Sequence, residues 1–214
     1  MARKIQLDEL DLINVAGVNW RPVRRMLGVT AFGVNAYTAD RGEQLIEEHS
    51  EGGGGAGHEE LYVVLSGQAS FVVDGEELDA PAGTLIFVPE PSSRRGAKAL
   101  TDGTSALVVG GRTGTITPSA WEFYFAAQPA VDSGRPTEAY QIASQGLTDH
   151  PDHPSLHYNL ACYASLAGDI DRAFEHLALA FQRDRRTREW AATDSDLEAV
   201  RADRRWPEVS AAQS

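Results

Sequence analysis

Side chains able to move a proton or hold a metal crowd into one short stretch: His49, Glu51, His58 and Glu60, with Tyr62 two residues on. Strand alternation puts His58, Glu60 and Tyr62 on one face, and Glu47, His49 and Glu51 on one face of a neighbouring strand. If both faces point inward, His49, His58 and Glu60 form a two-histidine, one-carboxylate set suited to Fe, Mn, Ni or Zn with positions left open. The competing reading leaves His58 at the mouth of the fold, shaping a loop. Gly52 to Gly57 reads either as a lid over that mouth or as a tolerated surface insertion. It is no phosphate loop, since neither the required Lys-Ser/Thr pair nor a strand-to-helix context follows. Arg94-Arg95 either binds an anion or forms an internal ion pair with Glu60 or Glu59.

Other chemistries find few candidates. Lys4 and Lys98 are the only lysines, which leaves little for a Schiff base, and Cys162 lies in an apolar helical pattern where a packing role is expected. A single cysteine forms no internal disulfide and no multi-cysteine zinc site, consistent with a reducing compartment. Of His150, His153, His157 and His176, only His153 and His157 have one-turn helical spacing, and His153 precedes Pro154, so surface or capping roles are expected. A formal charge of −12 over 214 residues disfavours nucleic acid and anionic membranes. The arginines from Arg183 to Arg205 are interleaved with acids and read as an ion-paired helical surface. No apolar run approaches a membrane span, and Met1 to Leu12 lacks a signal-peptide core, so a soluble, cytoplasmic protein is expected.

The elements that must position these residues change character near residue 118. Before it, short apolar runs at Leu27 to Tyr37, Glu60 to Leu65, Ala69 to Val73, Thr84 to Val88 and Ser105 to Val109 predict strands. Asp74-Gly75 and Asp102-Gly103 predict hairpins, and Pro81-Ala82-Gly83 a turn. Many short strands without intervening helices predict an antiparallel sandwich or barrel. After residue 118, amphipathic segments at Pro154 to Ala167 and Ile170 to Gln182 predict helices. Gly134 and Gly168, Ala139 and Ala173, Ala126 and Leu160, and Ala127 and Ala161 are each 34 residues apart, a helical-hairpin repeat period. A further helix over 194–204, ending at Trp206-Pro207, would cap the stack. Trp20, Trp121, Trp190 and Trp206 flank element boundaries, where large apolar side chains lock segments together.

Two resemblances follow from these residues. Residues 20–118 resemble the cupin superfamily. Its first signature matches Gly42, His49, Glu51, Glu60 and Gly67, with the Gly-rich insertion inside it. Its second aligns with Gly83, Pro89, Pro91, Arg94 and Lys98. The segment Leu156 to Tyr163 with Gly168-Asp169 and Arg172-Ala173 resembles a tetratricopeptide unit, with a weaker copy over 121–151. The resemblance implies an all-β, jelly-roll cupin barrel over residues 1–118 and an α-helical tetratricopeptide-like domain over 119–214. In metal-binding cupins, three imidazoles and a carboxylate meet inside the barrel. Here Glu60 and His49 remain, Glu51 or His58 stands for the second imidazole, and Arg94 for the third. A guanidinium has no lone pair to donate, so Arg94 would pair with Glu60 or hold an acidic ligand.

The leading expectation is a small-molecule binding or sensing module for an acidic ligand, lined by His49, His58, Glu60, Tyr62, Phe71, Phe87 and Arg94, with helices for protein interaction. An alternative is a metal-dependent dioxygenase or isomerase using His49, His58 and Glu60, with Tyr62 or Glu51 moving protons. A third is a structural scaffold. A homodimer paired through the barrel is expected, with a protein partner at the helices.

Overall fold

The computed structural model describes residues 2–52 and 57–211. The chain divides into two compact units, Met1–Ile116 and Thr117–Ser214.

The first unit is built on two antiparallel sheets. Strands β1 (Ile13–Val15), β2 (Val18–Arg21), β3 (Gly33–Ala39), β10 (Thr104–Arg112), β5 (His58–Ser66) and β8 (Leu85–Val88) lie side by side in that order. The facing sheet runs β4 (Gln44–His49), β9 (Arg95–Ala99), β6 (Gln68–Val73), β7 (Glu76–Pro81). Side chains from both meet in one core, including Leu45, Ile46, Phe71 and Ala97 from one sheet and Tyr62, Val64, Ile86 and Val108 from the other. Period-two alternation sorts the rest: on β8, Ile86 and Val88 point inward, while Leu85 and Phe87 are 65% and 56% exposed. Phe87, expected to line a cavity, therefore faces outward. Phe71 is fully buried and meets Tyr62 edge-on, with ring centroids 5.4 Å apart.

The turns follow their residues except where a strand changes sheets. Asp74 and Gly75 both take positive φ, 50° and 88°, which closes the β6–β7 hairpin as a two-residue loop requires. Asp102-Gly103 makes no hairpin, because β9 and β10 lie in different sheets and the turn carries the chain between them. The predicted strand from Leu27 begins only at Gly33: Val23–Leu27 is a short helix, α1, closed by Gly28 in the left-handed region. The strands β7 (EELDAP) and β9 (RGAKA) escaped the apolar pattern because charged or small residues fill them.

The helical unit contains two helical hairpins of matching layout. Helices α2 (Ala120–Asp132) and α3 (Pro136–Ser144) start 34 residues before α4 (Pro154–Leu166) and α5 (Ile170–Arg183). Gly134 and Gly168 sit at corresponding bends with φ of 68° and 81°. Ala127, Ala139, Ala161 and Ala173 are fully buried, and their missing bulk lets the helices approach closely. Asp169 caps α5, accepting from the Arg172 amide at 3.1 Å. The segment expected as one capping helix is broken into a single 3-10 turn at Ser195–Leu197, α7 (Glu198–Ala202) and, beyond a bend, α8 (Trp206–Ala211); α6 (Arg186–Ala191) precedes them. Asp194 starts that 3-10 turn by accepting from the Asp196 amide at 3.0 Å. Among the described residues, no helix is long and apolar enough to cross a membrane.

Gly67 shows how the sheets are tied. It links β5 to β6 at φ 71°, and a Cβ there would lie 2.5 Å from Thr104 Oγ1 and 2.8 Å from Thr104 Cα, on a fully buried threonine. Gly67→Ala is expected to destabilise the first unit by about 2 kcal/mol or more, combining backbone strain with overpacking. Urea unfolding followed by the signals of Trp20 and the buried tyrosines measures it.

Candidate functional site

Glu60 enters the space between the sheets because it shares the inward parity of Tyr62 and Val64 on β5. Its neighbour across the ladder is Gly110, where a Cβ would stand 3.2 Å from Glu60 Cγ, so a glycine leaves the carboxylate room. The group that meets it comes from the facing sheet. Arg95 opens β9, is 0% exposed, and donates from Nε and Nη2 to Glu60 Oε2 at 3.1 and 2.9 Å. Its Nη1 donates to the carbonyls of Ser93 and Pro91 at 2.7 and 3.1 Å. The Tyr62 hydroxyl donates to the same Glu60 oxygen at 2.5 Å.

His49 reaches this centre through a bulge. On β4, Ile46 pairs with Ala97 and His49 with Arg95, three residues against two, so both point inward despite their odd separation. The His49 Nδ1 lies 2.7 Å from the Glu47 carbonyl, which can only accept, so Nδ1 carries a hydrogen and Nε2 faces the carboxylates. Nε2 stands 3.6 Å from Glu60 and 3.8 Å from Glu51. Strands β4 and β5 are thus on facing sheets, not neighbours in one sheet as the alternation argument had them.

Charge follows from this packing. Burial pushes the Glu60 carboxyl up, but the nearby His49 and the bonds from Tyr62 and Arg95 outweigh it and bring it down to about 2. The Glu60 carboxylate, 3.6 Å away, raises His49 above its ordinary value, favouring the imidazolium. Burial, reinforced by Glu60, raises the Tyr62 phenol and keeps it protonated.

The site faces a cavity of about 260 Å³ whose polar lining is His49, Glu51, His58, Glu60, Asn35 and the two tyrosines Tyr37 and Tyr62. A second hollow of about 320 Å³, bounded by Trp20 and Val18, shares Tyr37, Ile46, His49 and Glu51 with it. Asn35 Oδ1 is buried beside the cavity, with no hydrogen-bond partner among the described residues.

Arg94 takes no part. It lies on the outer face of the β4-β9-β6-β7 sheet, 68% exposed, and pairs with Glu48 at 2.5 Å beside Lys98 and Glu77. The inward cation is Arg95, and the reason is parity: Lys98 must face water, residue 94 shares its side of the strand, and 95, 97 and 99 share the other. Of the expected trio, His49 and Glu60 come together. His58 is two residues from Glu60 along one strand, so it stands aside, 45% exposed and 3.7 Å from Glu51.

The donors that do converge are His49, Glu51 and Glu60, with one ligand atom of each within 4.8 Å of the others. They do not fit a divalent ion. Glu60 Oε2, the oxygen 3.6 Å from His49, already accepts from Arg95 and Tyr62, and a fixed guanidinium at 2.9 Å would repel the incoming charge. A second grouping, Cys162 with Asp194 and Asp196, lies in the helical unit. Burial raises the Cys162 thiol, which donates towards Asp194 at 3.8 Å, so it packs as a protonated core residue. Residues 53–56 of the Gly-rich run, read as lid or insertion, lie outside the described residues.

Removing one partner of the buried pair is expected to cost more than the pair contributes. Glu60→Gln should lower stability by about 3 kcal/mol, because Arg95 is left buried without a counter-charge. Chemical denaturation of Glu60→Gln, Arg95→Met and the double variant tests this, and the double variant should recover part of the loss. The depressed Glu60 value gives stability present above its unfolded value of 4.5 and lost as pH falls through about 2.

No protein-family model matches the sequence, and no curated protein does. Among solved structures, the chain is similar to a cupin protein from Bacteroides fragilis, with 22% identity over 51% of this chain and 90% of that one, at a TM-score of 0.42. It is similar to a sugar phosphate isomerase of the cupin superfamily from Silicibacter pomeroyi, at 22% identity over 52% and 76% with a TM-score of 0.44. A nucleoside dehydratase from Streptomyces is a further neighbour, at 20% identity over 52% and 83% with a TM-score of 0.40.

Proposed function

We propose that the first unit is a cupin-type small-molecule-binding module in which a buried arginine takes the place of a metal ion as the organiser of the pocket. The observation that carries this reading is the 0% exposed Arg95, bonded to Glu60 and to two carbonyls. The signatures around His49, Glu60 and Gly67, and two antiparallel sheets sharing one core, support the cupin assignment. The expected acidic ligand rested on Arg94, which points outward; Arg95 has its donors engaged already.

What the cavity offers is chiefly acceptors, the carboxylates of Glu51 and Glu60. Such a lining favours an uncharged, hydroxyl-rich ligand and disfavours an anion. A volume of about 260 Å³ selects a small one. The helices serve protein contacts as a short tetratricopeptide-like unit, a reading supported by the 34-residue offset of its hairpins. Exposed Leu85 and Phe87 on the edge strand β8 support pairing of two barrels.

Elemental analysis of the purified chain should find no stoichiometric transition metal. Thermal-shift measurements should show stabilisation by neutral polyols or monosaccharides, and none by dicarboxylates or phosphate esters. Glu51→Gln should weaken the shift at least tenfold in apparent affinity while leaving the fold intact. A stoichiometric ion that is lost in Glu60→Gln, or stabilisation by anions alone, overturns the reading.

A further inference from the structure

The buried histidines of the helical unit are used by neither the pocket nor its ligand. His157 on α4 and His176 on α5 are 4% and 8% exposed, and their Nδ1 atoms are 2.9 Å apart. The other nitrogen of His157 lies 2.8 Å from the Pro151 carbonyl, and the other nitrogen of His176 lies 2.8 Å from the Tyr140 hydroxyl on α3.

The hydrogen positions follow from the two ends. A carbonyl only accepts, so His157 Nε2 carries a hydrogen. In a neutral ring its Nδ1 is then a lone pair, which accepts from the His176 Nδ1–H. His176 Nε2 is in turn a lone pair and accepts from the Tyr140 O–H. With both rings neutral, every nitrogen is matched once, and three helices are joined.

One added proton can be absorbed, because the Tyr140 oxygen can accept from His176 Nε2. A second cannot. Both Nδ1 atoms would then carry hydrogens and face each other at 2.9 Å, in a site closed to water. We infer that the His157–His176 pair is an acid-sensitive latch, holding α3, α4 and α5 together while it carries at most one positive charge and opening when both rings are charged.

The charged and titratable surroundings favour low proton occupancy. The Arg172 guanidinium sits over the Tyr140 ring, 5.2 Å from its centroid, and is 3.4 Å from Asp169. Glu175 also faces Tyr140, and His153 lies beside His150 and His157. Both outer histidines have a nitrogen committed: His150 Nε2 donates to the Pro118 carbonyl at 2.6 Å, and His153 Nδ1 accepts from the Leu156 amide. Burial lowers His176 to about 4, with His157 and Arg172 acting in the same direction. A histidine lowered in the folded state contributes stability that is intact above its unfolded value near 6.5 and is lost as pH falls towards 4.

Peptide-resolved hydrogen exchange on the full chain, corrected for intrinsic rates, reads the latch. Protection over α4 and α5 should fall about tenfold per pH unit below about pH 6, one proton's worth of linkage. His176→Gln keeps a donor for His157 and an acceptor for Tyr140 without a titrating ring, and should remove that fall. Unchanged protection in the natural chain, or an equal fall in folded His176→Gln, overturns the inference. Should that variant not fold, imidazole proton resonances of the natural chain decide: only one of the two rings should titrate above pH 5, and two independent titrations near 6.5 overturn it.

Discussion

A guanidinium removed entirely from water is tolerated only where carboxylate and carbonyl oxygens replace the lost hydration, and the first unit is arranged around that demand. Glu60 from one sheet and Arg95 from the other meet across the core, so the pair fixes how the sheets face each other at this end. The segment before β9 bends so that the Pro91 and Ser93 carbonyls meet the remaining donors, and Asp74 holds it by accepting from the Arg94 amide at 2.8 Å. Desolvating two charges costs several kcal/mol per ion, so the pair adds little net stability. Its contribution is specificity, because any arrangement that separates the partners strands a charge.

The same pair sets the chemistry of the cavity. Glu60 stays ionised at all ordinary pH, which draws His49 towards its charged form and keeps Tyr62 a donor. Most polar groups of the site are therefore spent on one another. Foremost among those still open to the cavity is the Glu51 carboxylate, an acceptor, and the ligand class follows from what is left over.

The helical unit meets the burial of polar groups by the opposite route. Its central polar contacts are neutral, with each imidazole nitrogen assigned a role by a carbonyl at one end and a phenol at the other. A network of that kind is insensitive to salt and sensitive to protons. The sheet unit, held by an ionised carboxylate and an arginine, keeps its central charges down to strongly acidic pH. The two units thus answer acid differently.

Much of the architecture was legible because it rests on local chemistry. Period-two runs marked β5, β6 and β8, Asp74-Gly75 marked a hairpin, and the spacing of Gly134 and Gly168 marked the helical hairpins. Ala126 and Leu160 show the limit of that spacing: they share a repeat position, yet Ala126 is exposed and Leu160 fully buried. At the site, the sequence singled out His49, His58, Glu60, Tyr62, Phe71, Phe87 and Arg94 as candidates, with Arg95 only as the neighbour of Arg94 in a possible ion pair. Only the tertiary structure decided which arginine, because strand parity is meaningful once the buried face of β9 is known, and that face is set by packing against a distant strand. It also decided that a bulge in β4 turns His49 inward, that Phe87 turns outward, and that His157 meets His176. Each depends on contacts between residues far apart in the chain, which no local pattern encodes.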